Sequence, residues 1–527
     1  MVQQAILQED FGWYEGGLSL LERKKRGHFS TPPLLVEHIL DACGYTSEND
    51  LAHLRVIDPA CGSGNFLVGA ARRLMAWGER TGLSQAKRSA LIERNLWGFD
   101  PDPVSCFLTE MQLRMVMGNA SSYLHIHQAD SLVLPWEPCV DLFVANPPYL
   151  AAKNNDLSGY RSVQRRGQAD SYLLFLNLAL SVVRPGGWIG LVLPDPVLAR
   201  ANATRERARL LQEVTLHHLW HLSGVFAADV GAVVLIGQKR TPSSQDEVSW
   251  IRERWTPRSM SSPGQPKIIP QSVFQRQPGA ELRYLLSSER GVVFERLRAC
   301  LDDSAGENKR LAPLSEFLSI CRGEELGRES PWLVEMDEQP GRPAYHPVLR
   351  GGVDIHPYGV PCSRWRIACD TIGKPLERYL SPKLLVVKST DRLQATLDLR
   401  GHVALQTLYL LHMRDTSSDV DMLYFFLTLL NSRLLRDYVY VLHTAYKWVQ
   451  PQIEQGVLAR LPIPLVSAGE RQQIIERAKR LVTACSEAGA VVEWDAHITS
   501  LYEEQERAIC ALYNMVLPGG SSSFGEV

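Results

Sequence analysis

Over roughly the first 240 residues, short apolar runs alternate with amphipathic segments, the pattern of a parallel sheet with crossover helices. The runs predict strands at Leu54–Ile57, Leu96–Phe99, His125–Gln128, Leu142–Ala145, Trp188–Leu193, Leu216–His221 and Ala232–Lys239. Helical spacing fits Asn65–Trp77, Pro103–Met117 and Ser171–Val183, the first stopping at Gly78. From Thr241 to Lys267 the chain turns polar and punctuated (TPSSQDE, then SMSSPGQPK), which marks a domain boundary. Beyond it, Leu314–Arg400 is irregular and rich in Pro, Gly and Arg. Helical patterning returns at Val420–Val441 and Gly469–Met515, and the tail GGSSSFGEV reads as disordered. The expected architecture is an α/β domain over 1–243 with a mostly parallel, Rossmann-like sheet. A linker over 244–266 and an α+β domain over 267–527, ending in helices, follow it.

A chain of 527 residues exceeds one core, and 45% hydrophobic with 22% charged residues is ordinary for a folded protein. The net charge of −2 gives no support by itself for a polyanionic partner. Ten cysteines form no CxxC pair, and Cys362 and Cys369 are too isolated for half a metal site, so free thiols and no metal are expected. The first twenty residues carry acids and no apolar h-region. The best apolar stretch, Tyr172–Val183, is broken by Asn177 and too short to span a bilayer. A cytoplasmic protein without membrane contact is the expectation. His125, His127 and His221 sit in or beside strands, where packing or exposure is the expected role rather than ligation.

Chemistry concentrates first in VIDPACGSGNFLVGAARRL, residues 56–74. A strand ends on Asp58, then Ala60, Gly62 and Gly64 lead into a helix. Such a turn brings a ligand against bare backbone at the helix start, at the carboxyl ends of the strands. Asp58 places negative charge where an amino-acid ammonium would sit. Asp100 closes the second strand (LWGFDPDP), where an acid accepts from ribose hydroxyls, and Asp130 with Ser131 closes the third (HQADSL), placed for an adenine amino group. Singly each acid reads as a cap or turn residue. Three strand ends in order, each closing on an acid, point to a cofactor adenosine.

DLFVANPPYL, residues 141–150, sharpens the reading. An apolar strand delivers Asn146-Pro147-Pro148-Tyr149 to the same sheet edge as Asp58. The prolines stiffen the loop and remove donors, leaving the Asn146 side-chain oxygen and the Pro147 carbonyl as acceptors. A base amine is a poor nucleophile because its lone pair is delocalised. Two acceptors on its hydrogens favour a pyramidal nitrogen aimed at a sulfonium methyl, and Tyr149 offers a ring for an extruded base.

Together these segments resemble the gamma group of amino-methyltransferases, the TaqI-like N6-adenine DNA methyltransferases of the NPPY type, with a class I methyltransferase domain. RKKRGHFSTPPLLVEHIL (23–40) is similar to that family's first motif, which implies cofactor contacts from Phe29, Thr31 and Pro32. DPACGSGNFL is similar to its cofactor loop, implying S-adenosyl-L-methionine held by Asp58, Ala60, Gly62, Gly64, Asp100, Asp130, Ser131 and Asn146. LSGVFAADVGAVVLIGQKR (222–240) resembles the motif whose phenylalanine sandwiches a flipped base, implying Phe226 beside the catalytic Asn146, Pro147 and Tyr149. SPKLLVVKSTDRL, LTLLNSRLLRDYV and LARLPIPL are similar to segments of the target-recognition domain.

The resemblance implies double-stranded DNA as the partner in a restriction-modification or related defence setting. A monomer is expected because one asymmetric chain would read the target. With no nuclease-type carboxylate–lysine set in the sequence, any restriction endonuclease is expected on a separate chain. Candidate DNA contacts are Arg322, Lys383, Lys388, Arg392 and Tyr446-Lys447-Trp448; for each, an exposed charge or a core aromatic is an equal reading. Arg205 and Arg209 could touch a phosphate, but solvating a helix is the favoured reading. Cytosine N4, a protein glutamine or RNA remain as alternative acceptors. A non-catalytic DNA-recognition subunit would need neither the glycine loop nor NPPY. Pro138-Cys139 mimics the dipeptide of cytosine C5 chemistry but precedes its strand, so coincidence is the reading there.

Overall fold

A computed structural model describes residues 29–118, 123–150, 160, 170–226, 230–256, 265–302, 310–327, 330–335, 345–352, 354–359, 361, 363–415, 420–448, 451–487 and 494–516. The chain divides into two compact units, 1–284 and 285–527.

The first unit is built on a nine-stranded sheet ordered β3-β2-β1-β4-β5-β7-β6-β8-β9. Its strands are β1 (Val56–Asp58), β2 (Leu96–Asp100), β3 (His125–Gln128), β4 (Val140–Ala145), β5 (Val183–Pro194), β6 (Thr215–Ser223), β7 (Ala232–Gln238), β8 (Glu247–Arg254) and β9 (Lys267–Pro270). From β3 to β5 all neighbours are parallel, whereas β7 runs antiparallel to both β5 and β6. β1 and β4 are buried at every position, which is why they read as largely apolar runs rather than alternating ones. Helices α1 (Pro33–Ala42), α2 (Asn65–Arg80), α3 (Gln85–Asn95) and α4 (Pro103–Val116) share a core with these strands. Two more, α5 (Ser171–Val182) and α6 (Thr204–Glu213), follow β4 and β5 in sequence.

Five sequence expectations need correction. Residues 244–266 are not a linker, because β8 pairs in parallel with β6 and β9 closes antiparallel on β8. The polar TPSSQDE is the turn into β8, and the unit ends at Tyr284 rather than 243; part of SMSSPGQPK lies outside the described residues. Helix α2 runs through Gly78 to Arg80. A Cβ at Gly78 would lie 2.6 Å from Arg88 Cγ, so that glycine serves close packing of α3 and not termination. The first strand starts at Val56, and β5 begins earlier than expected, at Val183, where it pairs with Val140.

The second unit is α+β. One antiparallel sheet is ordered β11 (Leu318–Arg322), β18 (Leu408–Met413), β15 (Lys383–Val387), β16 (Ala395–Asp398). Another comprises β12 (Leu333–Glu335), β14 (Trp365–Ala368), β13 (Tyr345–Leu349) and β17 (Val403–Ala404). A short pair, β10 (Leu311–Pro313) with β19 (Pro462–Pro464), joins distant parts of the chain. The helical pattern resolves into Asp421–Asn431, Arg433–Leu442, Ala468–Glu487 and Ala496–Val516. Their apolar faces share one core with β10, β11, β15, β16 and β18.

Candidate active site

Because β1 to β4 are parallel, their carboxyl ends deliver Asp58, Asp100, Asp130 and Asn146 to one edge of the sheet. There they line a cavity of about 220 Å³, together with Phe29, Thr31, Ala60, Gly62 and Ser131. The glycine turn is held by the next strand. Cys61 N–H donates to the Phe99 carbonyl (2.9 Å), Gly62 N–H to Asp100 Oδ2 (3.0 Å), and Asp102 N–H to Asp100 Oδ1 (2.9 Å). Asp100 therefore braces the loop, and a ribose would use its remaining lone pairs.

The two glycines do different work. Gly62 has φ +51° and nothing within 4 Å of a would-be Cβ, so its bare face opens on the cavity. Gly64 has φ +93°, and a Cβ there would lie 2.9 Å from the Thr109 side chain. It serves packing against α4 and does not line the cavity, contrary to the role the resemblance implied. Pro32 is likewise absent from the lining; it precedes α1, where its carbonyl accepts from Val36 N–H (3.1 Å).

Asp58 is 1% exposed, accepts from Ala60 N–H (3.1 Å), and has no ion-pair partner among the described residues. Burial, with the Asp100 charge adding to it, pushes its carboxyl up to about 8. Nearby, the Thr31 hydroxyl is buried without a hydrogen-bond partner among the described residues. A buried acid lacking a cation and a buried donor lacking an acceptor fit a ligand carrying an ammonium and a carboxylate. The methionine moiety of S-adenosyl-L-methionine has both.

At the third strand end, Asp130 is already engaged. Oδ1 accepts from Leu132 N–H (3.0 Å) and Oδ2 from the Tyr160 hydroxyl (2.7 Å). An adenine amine would have to share Oδ2 with Tyr160, whose own hydroxyl is pushed up to about 12 by burial and by Asp130. Ser131 is a tie rather than an open donor: it is 2% exposed and donates to the Pro59 carbonyl (2.8 Å).

Asn146 donates through Nδ2 to the Phe29 carbonyl. A carbonyl can only accept, so the amide nitrogen faces Phe29 and Oδ1 faces away, with no partner among the described residues. Asn65 Nδ2 donates to the Thr31 carbonyl (2.8 Å), so two asparagines fasten the strip at 29–31. The Pro-Pro turn is fixed from α5: Ser171 Oγ donates to the Pro148 carbonyl and accepts from Leu150 N–H (2.9 Å). Pro147 is buried, and Tyr149 O–H donates to the Val192 carbonyl (3.3 Å). Tyr149 and Phe226 meet with centroids 6.2 Å apart at 80°, and Phe29 packs on Phe226 at 5.8 Å. An edge-to-face pair leaves no slot; a base between parallel rings needs about 7 Å. The expected sandwich is therefore closed here and would open only by rotation of Phe226.

Sequence reasoning missed Asn65, Thr109, Ser171, Phe175 and Tyr160. Thr109 Oγ1 donates to the Gly62 carbonyl (2.9 Å), and Phe175 and Tyr160 line the cavity. Asn65 stands at a helix start directly after the glycine turn, a position that could have marked it, and Ser171 opens α5. The remaining three lack a local signal.

Among the candidate DNA contacts in the second unit, Lys383 is fully buried, paired with Asp398 (2.6 Å) beneath His402 (2.9 Å), and is structural. Tyr446 is a core residue donating to the Val441 carbonyl (2.9 Å). Arg392 pairs with Asp437 and lies over the Tyr440 ring (4.6 Å), whereas Arg322 and Lys447 are exposed and Lys388 and Trp448 are half-buried. In the first unit, Arg209 pairs with Glu213 (2.7 Å) and donates to Asn177 (3.3 Å), and Arg205 is exposed. Of the three strand histidines, His125 stacks on Trp97 (3.7 Å), His127 lies against Phe99 (5.3 Å), and His221 bonds Tyr284. Among the described residues no group of three His, Cys, Asp or Glu is placed to bind one. None of their helices is long and apolar enough to cross a membrane.

Comparison with known proteins agrees with this arrangement. Residues 9–266 match the N-6 DNA methylase family, and residues 346–463 match the TaqI-like C-terminal specificity domain. The type II methyltransferase M.PaeR7I of Pseudomonas aeruginosa is 29% identical over 34% of this chain and 33% of its own length. M.XhoI of Xanthomonas vasicola is 27% identical over 37% of this chain and 38% of its own. The aligned stretches thus span little more than a third of these relatives. Among solved structures, the type IIL restriction-modification enzyme MmeI in complex with DNA is similar in fold, with a TM-score of 0.58 over 93% of this chain and 75% of that one at 14% identity. The chain thus carries, in this order, a segment similar to the N-6 DNA methylase family and a TaqI-like C-terminal specificity domain.

Proposed function

We propose that this protein transfers a methyl group from S-adenosyl-L-methionine to N6 of an adenine rotated out of double-stranded DNA, at a sequence read by its second unit. The observation that carries this is the split duty of Asn146: its amide nitrogen is spent on Phe29, which leaves its oxygen as an acceptor beside a cavity suited to the cofactor.

When bound, the cofactor supplies an electrophilic methyl on a sulfonium. Asp58 pairs its ammonium, Thr31 donates to its carboxylate, Asp100 accepts from its ribose, and the bare face of Gly62 lets the loop backbone approach. An adenine inside a duplex is out of reach, so the base is extruded at a cost of a few kcal/mol. Stacking on Tyr149 and a rotated Phe226 offsets it by about 1–3 kcal/mol per contact. Asn146 Oδ1 and the Pro147 carbonyl then hold the two amine hydrogens and turn the nitrogen lone pair toward the methyl. Alignment supplies most of the acceleration, and the proton leaves late, to water. Defence against foreign DNA, with any nuclease on a separate chain, is the setting that fits the type II relatives.

Nucleoside mass spectrometry on unmethylated genomic DNA, incubated with protein and cofactor, tests this. N6-methyladenine should form, and Asn146→Ala should abolish it while cofactor still binds. N4-methylcytosine would overturn the choice of base, and no methylated base would overturn DNA as the acceptor.

A further inference from the structure

One buried acid near the base-holding loop has no part in the steps above. Asp195 directly follows β5 and is 5% exposed. Since β7 is antiparallel to both β5 and β6, the ends of β4, β5 and β6 and the start of β7 meet at one sheet edge. Three observations fix the carboxylate there. Asp195 N–H donates to the Gly231 carbonyl (3.1 Å). A Cβ at Gly231 would fall 2.4 Å from Asp195 Oδ2, so only glycine leaves the acid its place. His221 is fully buried, with Nε2 3.9 Å from Oδ2 and Nδ1 2.7 Å from the Tyr284 hydroxyl. Burial lowers the histidine pKa against the pull of Asp195. The imidazole is thus held between the Tyr284 hydroxyl on one side and the Asp195 carboxylate on the other.

On its other side Asp195 reaches the base pocket. Burial, and then the Asp195 charge, raise the Tyr149 phenol well above its usual range. Tyr149 itself donates to Val192, three residues ahead of Asp195, and its ring touches Phe226 just beyond β6. Asp195 does not line the cofactor cavity. Its charge is felt instead at Tyr149 of the base-holding loop.

We propose that Asp195, oriented by His221 and the Gly231 backbone, is a positioning anion that favours transfer by stabilising positive charge as it builds on the base amine. This role presupposes the adenine-methylating function above. In the step, the amine lone pair forms the new N–C bond, the C–S bond breaks with its electrons going to sulfur, and positive charge passes from sulfur to nitrogen. One N–H proton then leaves to water. A fixed anion nearer the nitrogen than the sulfur lowers the barrier to that shift without tightening either ground-state complex.

The test is Asp195→Asn, which keeps shape and removes charge, and Gly231→Ala, which keeps charge and displaces the carboxylate. Methylation of unmethylated genomic DNA is followed under single turnover, beside cofactor Kd and the DNA concentration for half-saturation. The expected result is a rate at least ten-fold lower for Asp195→Asn, a smaller loss for Gly231→Ala, and both affinities within two-fold of wild type. A folded Asp195→Asn protein with the wild-type rate overturns the proposal, as does a loss confined to affinity. If Asp195→Asn does not fold, a wild-type rate in Gly231→Ala overturns it equally. Failure of the wild-type protein itself to form N6-methyladenine would instead refute the function.

Discussion

At the scale of single residues, the cofactor side of the site is a set of deliberate deficits. Asp58 holds its proton up to about 8 because it is buried without a cation. Its folded pKa exceeds the unfolded value near 4, so between those pH values the folded chain binds more protons and loses stability as pH rises. Asp58→Asn should therefore melt higher than wild type in the free state, by up to a few kcal/mol. Melts should show that gap widening from pH 5 to pH 8, while cofactor affinity falls at least a hundred-fold by calorimetry. Thr31→Val removes an unpartnered hydroxyl and should leave the melting temperature unchanged or raised. Cofactor Kd should rise about ten-fold in that variant, the worth of one charge-assisted hydrogen bond. Asp58, Asp100 and Asn146 were legible because each ends a strand within a spaced motif. The Asn146–Phe29 and Asn65–Thr31 bonds were not, since they join positions that only folding brings together. The engagement of Asp130 by Tyr160 was hidden for the same reason.

At the scale of elements, the glycine turn separates two demands that one motif compresses. Gly64→Ala puts a Cβ 2.9 Å from Thr109 at φ +93° and should cost about 1–3 kcal/mol of stability, read from denaturant midpoints. Gly62→Ala meets no protein atom, so its loss in stability should be smaller and its weakening of cofactor binding larger than for Gly64→Ala. The parallel half of the sheet was readable because strands buried on both faces are dominated by apolar residues. Strands β8 and β9 were not. EVSWIRER mixes charges with a buried Val248 and Trp250, and KIIP, the edge strand that closes on it, is short and exposed at three of its four positions.

At the scale of the whole molecule, those same two strands set where the chain can be divided. A fragment ending at 243 would leave the β6 edge bare and should aggregate. One ending at 284 should fold with a cooperative melt by circular dichroism. The near-neutral total conceals segregation, for between Arg342 and Arg414 the chain carries eleven Lys and Arg against five Asp and Glu. That stretch falls mostly within the matched specificity domain, where phosphate contacts would be wanted. The pairing of Leu311–Pro313 with Pro462–Pro464 has a further consequence. During synthesis the first unit can fold as soon as it emerges. The second must hold nearly 150 residues in suspense until β19 arrives to close on β10, a loop closure costing on the order of 4–5 kcal/mol. Its core should therefore assemble nearly all at once, and only after the first unit has already emerged.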